Sequence, residues 1–377
     1  MSNWTAAGTL PTGAWEIKDN LTRLADGRVL LAGGIDSATN PVAAASLFDP
    51  ATTTWTAAAP MSQPRIGHTV TPLPDGKVLV AGGIVGPVSF PQHSTASAEI
   101  YDPAAGTWTP TGSMAVVRNG HFAATLRDGR VLVAGGIGQR DAISASTLDS
   151  AEIYDPATGT WTSTGSMTDI RSGGMAVTLD DGKVLAIGGV LYNGRGILVS
   201  TAFCELYDPT TGTWSPTGSL STTRSTAAAT KLADGTVLVT GSWHSEVVDG
   251  VVFDGHSAAT AERYDPAAGR WTPTAPMPIG RCFHDSALLP SGEVLVIGGT
   301  DDAMLAAGYR NVVRYEPLSD TWAPTPGLTT GRYGHGAIAL ADGRVLVAGG
   351  VSVAANGGQF DGDNHVVAAA EVFTPTP

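Results

Sequence analysis

The chain has 377 residues, of which 48 are glycine and 24 are proline, and charged residues make up only 15%. Coiled coils and helical repeats are poor in glycine and proline, so this composition excludes them. A hydrophobic fraction of 42% also excludes general disorder, because enough apolar surface is available to offset the entropy of ordering. The sequence therefore predicts a globular protein that is rich in turns.

The net charge is −13, and no run of Lys or Arg stands out. A phosphate backbone or an anionic membrane requires a cationic surface, so we expect neither nucleic acid nor a membrane as partner. Cys204 and Cys282 are too few for a disulfide framework, and their spacing does not match a metal clip. The N-terminus lacks the basic and apolar regions of a signal peptide, and no long apolar run follows it. We expect a cytoplasmic protein that is a monomer or a weak oligomer.

One phrase recurs along the chain: an Arg, about ten residues, Asp-Gly, an apolar strand ending in Gly-Gly, a variable stretch, Tyr-Asp-Pro and Thr-Trp-Thr. Its tryptophans are 51 to 57 residues apart, and a period near 50 is typical of β-propellers. Seven units are present. The tryptophans of the series are Trp55, Trp108, Trp161, Trp214, Trp271 and Trp322.

Each unit predicts four short antiparallel strands; in the third unit they begin at His121, Arg130, Ala151 and Thr160. Asp-Gly makes a tight turn between the first two strands, because Gly accepts the positive φ that such turns need. The seventh unit ends before any Thr-Trp-Thr strand, and Asn3-Trp4-Thr5 supplies the missing strand. We therefore expect the N-terminal strand to complete the last unit and residues 1–377 to form a single domain.

The Gly-Gly doublet after the second strand, with a Tyr and a Trp at fixed offsets, resembles the kelch repeat. The resemblance covers essentially the whole chain, and it implies an all-β fold: a seven-bladed kelch β-propeller with four antiparallel strands per blade. The units also resemble the propeller domains of galactose oxidase-like proteins. A propeller without further domains is similar to bacterial kelch enzymes of the sialic acid mutarotase type.

The second-to-third loops vary in length, whereas the other turns are short, so we expect function at the face that carries these loops. All eight histidines map to this face. Four of them stand three residues after an Arg, at the start of a first strand: His68, His121, His284 and His335. An Arg-x-x-His at this place also resembles the kelch scaffold itself, where both side chains bond to a neighbouring blade. This structural interpretation applies first to His68 and His121.

Departures from the repeat indicate where a site lies. Blades four and five carry Gly174 and Ala227 in place of the His, which opens space on one side of the channel. Blades five and seven have long second-to-third loops, and together with blade six they predict a pocket rim. Its acid/base candidates are His284, His335, His256, His365 and Asp285. The substrate-binding candidates are Arg281, Arg332 and Arg310 for an anion and His244, Trp243, Phe253, Tyr309, Tyr333 and Phe360 for a flat or apolar group.

These patterns favour an enzyme that acts on a small molecule by acid/base chemistry without a cofactor, such as an isomerase, a cyclase or a lyase. One alternative is a protein-binding or ligand-binding module without catalysis. A second is a metal-dependent oxidase or oxygenase, with His256, His365, Asp254 and Asp361 as possible ligands. Nothing in the sequence names the substrate.

Overall fold

Seven four-stranded antiparallel sheets follow one another along the chain and form the seven blades of a β-propeller. The computed structural model describes residues 3–14, 20–87, 93–141, 144–192, 198–243, 246–248, 251–253, 257–301, 307–352 and 365–375. Within these ranges the regular structure is all β. The first strands of neighbouring blades pack beside one another around a central channel. The predicted fold class is confirmed.

The strands of the first four blades follow a common pattern. Strand β1 (Trp4–Thr9) comes first in the chain. Blade one contains β2 (Leu21–Arg23), β3 (Val29–Ala32), β4 (Ala45–Asp49) and β5 (Thr54–Ala58), and blade two contains β6 (Thr69–Pro72), β7 (Val78–Ala81), β8 (Ala98–Asp102) and β9 (Thr107–Pro110). Blade three contains β10 (Phe122–Thr125), β11 (Val131–Ala134), β14 (Ala151–Asp155) and β15 (Thr160–Thr164), and blade four contains β16 (Met175–Thr178), β17 (Val184–Ile187), β20 (Cys204–Asp208) and β21 (Thr213–Pro216).

The last three blades repeat it. Blade five contains β22 (Ala228–Lys231), β23 (Val237–Thr240), β26 (Ala261–Asp265) and β27 (Arg270–Pro273); blade six, β28 (Asp285–Leu288), β29 (Val294–Ile297), β30 (Val312–Glu316) and β31 (Thr321–Thr325); and blade seven, β32 (Gly336–Ala339), β33 (Val345–Ala348) and β34 (Ala369–Phe373). Strand β1 pairs with β34 and places Trp4 opposite Phe373. The predicted closure of the last blade by the N-terminal strand is therefore confirmed.

Three further hairpins were not predicted from the sequence. They are built by the second-to-third loops of blades three, four and five: β12 (Ile137–Asp141) with β13 (Ser144–Thr147), β18 (Val190–Tyr192) with β19 (Leu198–Ser200), and β24 (Glu246–Val248) with β25 (Val251–Phe253). Neighbouring hairpins contact one another. They form a continuous wall on the face of the propeller that carries the second-to-third loops, which we call the upper face.

The hydrophobic core lies between the blades. Each second strand reads Val-Leu followed by two further small or apolar residues, and it is buried along its whole length because both faces of its sheet pack against neighbouring blades. The recurrent Trp of the fourth strand lies opposite the aromatic residue of the third strand, as in the pair Tyr101 and Trp108, whose ring centroids are 4.9 Å apart. The Trp108 indole N–H donates to the carbonyl of Ala59 in the preceding linker. The Trp161 and Trp322 indoles bond in the same way, so this contact joins blades two, three and six to the blades before them.

Candidate functional site

The central channel contains a cavity of about 580 Å³ that is lined by the first strands and by the residues that lead into them. Its size falls within the range of small-molecule pockets. Apolar and hydroxyl side chains make up most of the wall. The polar or large side chains among the lining residues are those of Asn20, Thr22, His68, Thr69, His121, Phe122, Met175, Thr226, Phe283 and Asp285.

Six residues at one equivalent position surround the upper end of the channel, and we call them the entry residues. All have left-handed backbones, with φ between 51° and 62°. The N–H of one donates to the carbonyl of the residue in the preceding blade, as from Gly120 to Gly67 at 2.8 Å and from Gly334 to Phe283 at 2.9 Å. The entry residues are Gly67, Gly120, Gly173, Thr226, Phe283 and Gly334.

Blades five and six break the glycine pattern of this circle. Glycine adopts a left-handed φ at little cost, whereas a β-branched or aromatic residue there stores about 1–3 kcal/mol of strain. Thr226 and Phe283 nevertheless keep φ values of 52° and 51°. Both line the cavity, and backbone strain of this kind clusters at functional sites. The sequence shows the exchange once the repeats are aligned, but only the backbone geometry shows that the strained conformation is retained.

The residue after each entry residue lies between two blades. His68 bonds through Nε2 to the carbonyl oxygen of Ala32 at 3.0 Å, and His284 bonds through Nε2 to the Thr240 hydroxyl at 2.9 Å. His121 bonds in the same way to Thr69 at 3.1 Å. Each of these contacts links a blade to the preceding one. The arrangement gives these histidines a structural role in joining blades, in agreement with the alternative stated for His68 and His121.

Burial controls the ionisation of the two histidines that line the cavity. Loss of hydration, together with repulsion by the Arg65 guanidinium, lowers the pKa of His68 to about 3. Burial and the charge of Arg118 lower the pKa of His121 well below its usual value. Both imidazoles are therefore neutral at pH 7. They offer hydrogen bonds to a ligand and do not exchange protons with it near neutrality.

Asp285 is the one carboxylate among the described residues that line the cavity. It begins the first strand of blade six, where its Oδ2 accepts a hydrogen bond from the Ala337 N–H at 2.8 Å. Its Oδ1 accepts from the N–H of Ser286 at 2.8 Å. These contacts fix the carboxylate between blades six and seven. Lys and Arg do not occur among the described lining residues.

A buried arginine and glutamate pair recurs beneath the upper face, and sequence analysis did not identify it. In blade three, Arg118 lies 2.9 Å from the Glu152 carboxylate and donates to the carbonyls of Gly135 and Ser150. Glu152 in turn accepts from the backbone N–H groups of Ala115 and Val116. The same pair joins Arg65 to Glu99, Arg171 to Glu205, Arg224 to Glu262 and Arg332 to Glu371. The recurrent Ala-Glu in the third strand is the signal that predicts it.

Blade six lacks this pair. Val313 occupies the position of the glutamate, and Pro278, which has no N–H, occupies a position whose amide elsewhere donates to that carboxylate. Arg281 instead donates to the side-chain oxygen of Asn311 and to the Gly298 carbonyl at 2.8 Å. Its guanidinium carbon lies 5.8 Å from the Tyr309 ring centroid. Burial lowers the pKa of Arg281 to about 10.

Most of the predicted rim residues that the structure describes do not line the cavity. Arg281 and Arg332 are fully buried, and Arg332 already holds an anion of the protein, Glu371, at 2.9 Å. This arrangement leaves both guanidinium groups a structural role. His284 and His335 are fully buried and, unlike His68 and His121, are not among the described residues that line the cavity.

The remaining described rim residues lie around the upper face. Arg310 and His365 are exposed, and Arg310 donates to the carbonyl of Leu328. Trp243 pairs with Ser225 through backbone contacts. Tyr333 contacts Phe283 edge to face, with ring centroids 6.4 Å apart. Asp285 is the predicted site residue that the structure brings to the cavity wall.

Several predicted residues lie outside the described residues: His244, His256, Phe360, Asp254 and Asp361. The backbone of Phe253 belongs to β25, and its side chain is not described. Within the described ranges, no group of three or more His, Cys, Asp or Glu side chains is placed to hold a metal ion. Cys204 and Cys282 are buried thiols that are not joined in a disulfide, and burial raises the pKa of Cys204 to about 11. No helix in the described part of the chain is long and apolar enough to span a membrane.

The fold and the repeated contacts define a seven-bladed β-propeller in which most blades contain a buried ion pair between an arginine and a glutamate. The family model described as "Kelch motif" matches residues 67–115 and 118–168. The kelch model therefore matches the sequences of blades two and three, and the fold of the chain is a seven-bladed β-propeller.

Similar curated proteins carry kelch names. Kelch-like protein 34 of Homo sapiens is 28% identical over 232 residues, which cover 60% of this chain and 33% of that protein. Kelch-like protein 35 of Mus musculus is 27% identical over 282 residues, covering 74% and 41%. Kelch-like protein terF of Aspergillus terreus is 25% identical over 266 residues, covering 68% and 55%. The chain thus spans between a third and about half of the length of these relatives.

Solved structures share the architecture. A fungal alcohol oxidase of the AA5 family, in complex with copper, superposes with a TM-score of 0.71 at 18% identity over 99% of this chain and 75% of that chain. The structure of YjhT superposes with a TM-score of 0.61 at 15% identity, covering 82% of this chain and 95% of that one. At these identities the likeness concerns the fold alone.

Proposed function

We propose that the protein binds a small organic molecule in its central channel, from the upper face. A cavity of about 580 Å³ is large enough for such a molecule. Its wall combines an apolar surface with a few fixed polar groups, which is the composition that ligand pockets favour. The three hairpins on blades three to five extend this wall above the channel.

The observation that carries the proposal is that departures from the repeat cluster around one cavity. Blades four and five replace the His by Gly174 and Ala227, which removes an imidazole from the wall. Blades five and six add the strained side chains Thr226 and Phe283, and blade six adds Asp285. The scaffold requires none of these exchanges, because blades two and three close the propeller without them.

Acid/base catalysis remains an extension of this proposal. A general acid or base must reach the ligand, and its pKa is best placed near the working pH. The pKa of His68 is about 3, so its imidazole is far from half protonation near pH 7 and does not meet this requirement for a general base. Asp285 is the described side chain that is placed to accept a proton from a ligand in the channel. An isomerase, cyclase or lyase reaction would therefore depend first on Asp285.

A channel-filling substitution tests the binding proposal. A Cβ atom added at Gly173 meets no atom within 4 Å, so Gly173→Asn projects a side chain into the upper end of the channel. Asn also tolerates the φ of 61° found there. Gly106 has a φ of 67°, and a Cβ atom there also meets nothing within 4 Å, but it lies in a third-to-fourth turn away from the cavity. Gly106→Asn is the matched control.

The measurement is a fragment screen by ligand-observed NMR on the wild-type protein, repeated on both variants after their melting temperatures have been compared. We expect a set of fragments to bind the wild type and Gly106→Asn but to lose at least about tenfold in affinity for Gly173→Asn. The proposal is wrong if the fragments bind Gly173→Asn as well as they bind the control. It is equally wrong if no fragment distinguishes the two variants.

A further inference from the structure

Three features at the blade-six side of the channel select a class of ligand. Phe283 carries an aromatic ring, Asp285 carries a carboxyl group and Thr226 carries a hydroxyl group, and all three residues line the same cavity. Phe283 and Asp285 are two residues apart at the entry to β28, and Thr226 is the entry residue of the neighbouring blade. The three groups therefore belong to one sector of the wall.

The positions of Thr226 and Phe283 are held despite their backbone cost. The Phe283 N–H donates to the Thr226 carbonyl at 3.1 Å, so the two entry residues are fixed to each other. Phe283 also packs edge to face on Tyr333 and joins an apolar cluster with Ile66 and Val351 on the upper face. The Thr226 hydroxyl is buried and has no hydrogen-bond partner among the described residues. A ligand that reaches this sector meets a ring held from behind by Tyr333, whereas the Thr226 hydroxyl is itself shielded.

Asp285 is the one acidic side chain of the described wall. His68 and His121 are neutral at pH 7 because burial depresses their pKa values, and the described lining contains no Lys or Arg. Asp285 therefore sets the sign of the charge that this wall presents. The whole chain carries a net charge of −13, which attracts cations toward it.

We infer that the ligand is a small organic cation, an amine with an apolar or aromatic body. The ammonium group forms charge-assisted hydrogen bonds with Asp285, the Phe283 ring adds a cation–π contact, and the body of the ligand fills the apolar channel. The space left by Gly174 and Ala227, in the two blades that precede blade six, receives that body. This inference rests on the proposed function, since it names the chemical class of the molecule that the channel binds.

Three probes of the same shape and different charge test the inference: benzylamine, benzyl alcohol and benzoate, measured by ligand-observed NMR titration at pH 7. We expect the wild type to bind benzylamine most tightly and benzoate most weakly. Asp285→Asn keeps an oxygen that accepts from Ala337 but removes the charge. It should weaken benzylamine by at least about tenfold and change benzyl alcohol by less than about twofold.

Asp301→Asn is the matched control, because Asp301 is exposed at the upper face and does not line the cavity. It should leave all three probes unchanged. If Asp285→Asn does not fold, Phe283→Leu replaces it. That variant keeps an apolar side chain, loses the cation–π contact, and should weaken benzylamine by about threefold.

Tighter binding of benzoate, equal binding of benzylamine and benzyl alcohol, or an unchanged benzylamine affinity in Asp285→Asn overturns the inference. Failure of all three probes to bind the wild type overturns it as well. The proposed function itself fails if Gly173→Asn binds the probes as tightly as the wild type does. If benzoate or benzyl alcohol binds the wild type at least as tightly as benzylamine and Gly173→Asn excludes it, the channel is a binding site and the assignment of a cation is wrong.

Discussion

Blades three and six are built from the same strands, but they differ in the contacts that surround their first strands. In blade three, Arg118 bonds to Glu152, and the entry residue is a glycine followed by His121. In blade six, Arg281 has Val313 where the glutamate stands, and the entry residue is Phe283. The comparison separates what the propeller needs in order to close from what one side of its channel has acquired.

The exchanges in blade six are mutually consistent. Loss of the carboxylate would leave a backbone N–H without its acceptor, and Pro278 removes that N–H. The Asn311 amide oxygen takes over one guanidinium contact. The same short segment, Arg281 to Asp285, then supplies Phe283 and Asp285 to the channel. Blade six therefore keeps a buried, hydrogen-bonded arginine, although it lacks the ion pair between arginine and glutamate.

Removing the carboxylate from blade three, without the accompanying changes, is the strongest test of this comparison. Glu152→Val leaves the Arg118 guanidinium buried without its carboxylate and the Ala115 and Val116 amides without an acceptor. We expect the free energy of unfolding to fall by about 3–5 kcal/mol, because breaking a buried pair leaves an uncompensated charge. Urea unfolding at pH 7 measures it.

The control for that variant is Glu293→Gln, which removes the charge of a partly exposed pair with Arg314. It should cost less than about 1 kcal/mol. If Glu152→Val costs no more than this control, the buried pairs are dispensable everywhere. Blade six would then be no exception, and the contrast between the two blades would disappear.

The next test concerns the histidines, which blades two and three have and blades four and five lack. The pKa of His68 is about 3 in the folded protein, whereas an unfolded histidine titrates near 6.5. Between these values the unfolded chain binds a proton that the folded protein does not, so the free energy of unfolding rises with pH. His68 alone should remove about 1.4 kcal/mol of stability for each unit that the pH falls from 6 to 4.

His68→Gln checks this slope, because Gln retains a donor for the Ala32 carbonyl and cannot be protonated. Urea unfolding at pH 6, 5 and 4 should give a dependence on pH that is shallower than that of the wild type by about 1.4 kcal/mol per unit. The comparison at pH 8 isolates the packing cost, since neither state is protonated there. An unchanged slope would contradict the depressed pKa of His68.

Sequence alone could predict the blades and their closure, since Asp-Gly, Gly-Gly and the Trp series recur in register. The role of Arg332 was missed because its partner, Glu371, lies 39 residues away in another strand, although the recurrent Ala-Glu of the third strands marks that partner. Aligned repeats set Thr226 and Phe283 beside glycines, yet whether the left-handed backbone persists depends on the hydrogen bonds between blades. Asp285 was identified as a site residue from its blade and position. The structure adds that it lines the channel cavity, at the start of β28.

A third test transfers the strain of blade five to blade four. Gly173 is the equivalent of Thr226, and an added Cβ atom there meets no atom within 4 Å. Gly173→Thr should therefore lose about 1–2 kcal/mol of stability, since only the backbone is affected. Gly173→Asn serves as control and should lose less, because Asn tolerates a left-handed φ. Equal losses in the two variants would mean that side-chain contact, and not φ, sets the cost.

The smallest expected effect is the reverse exchange in blade five. Thr226→Gly relieves a left-handed backbone and removes a buried hydroxyl that has no hydrogen-bond partner among the described residues. Glycine loses more conformational entropy on folding than threonine does, which offsets about 0.5–1 kcal/mol of this gain. We therefore expect a net stabilisation of about 0.5 kcal/mol. Thr226→Ala keeps the strain and should be less stable than Thr226→Gly in urea unfolding.

The meaning of that difference depends on ligand binding by the same variants. If Thr226→Gly is more stable than the wild type and also binds benzylamine more weakly, the strain at blade five is maintained for recognition at a cost in stability. If Thr226→Gly is more stable and binds benzylamine unchanged, the threonine contributes nothing to the site. In that case the difference between the blades would be confined to Phe283 and Asp285, both in blade six.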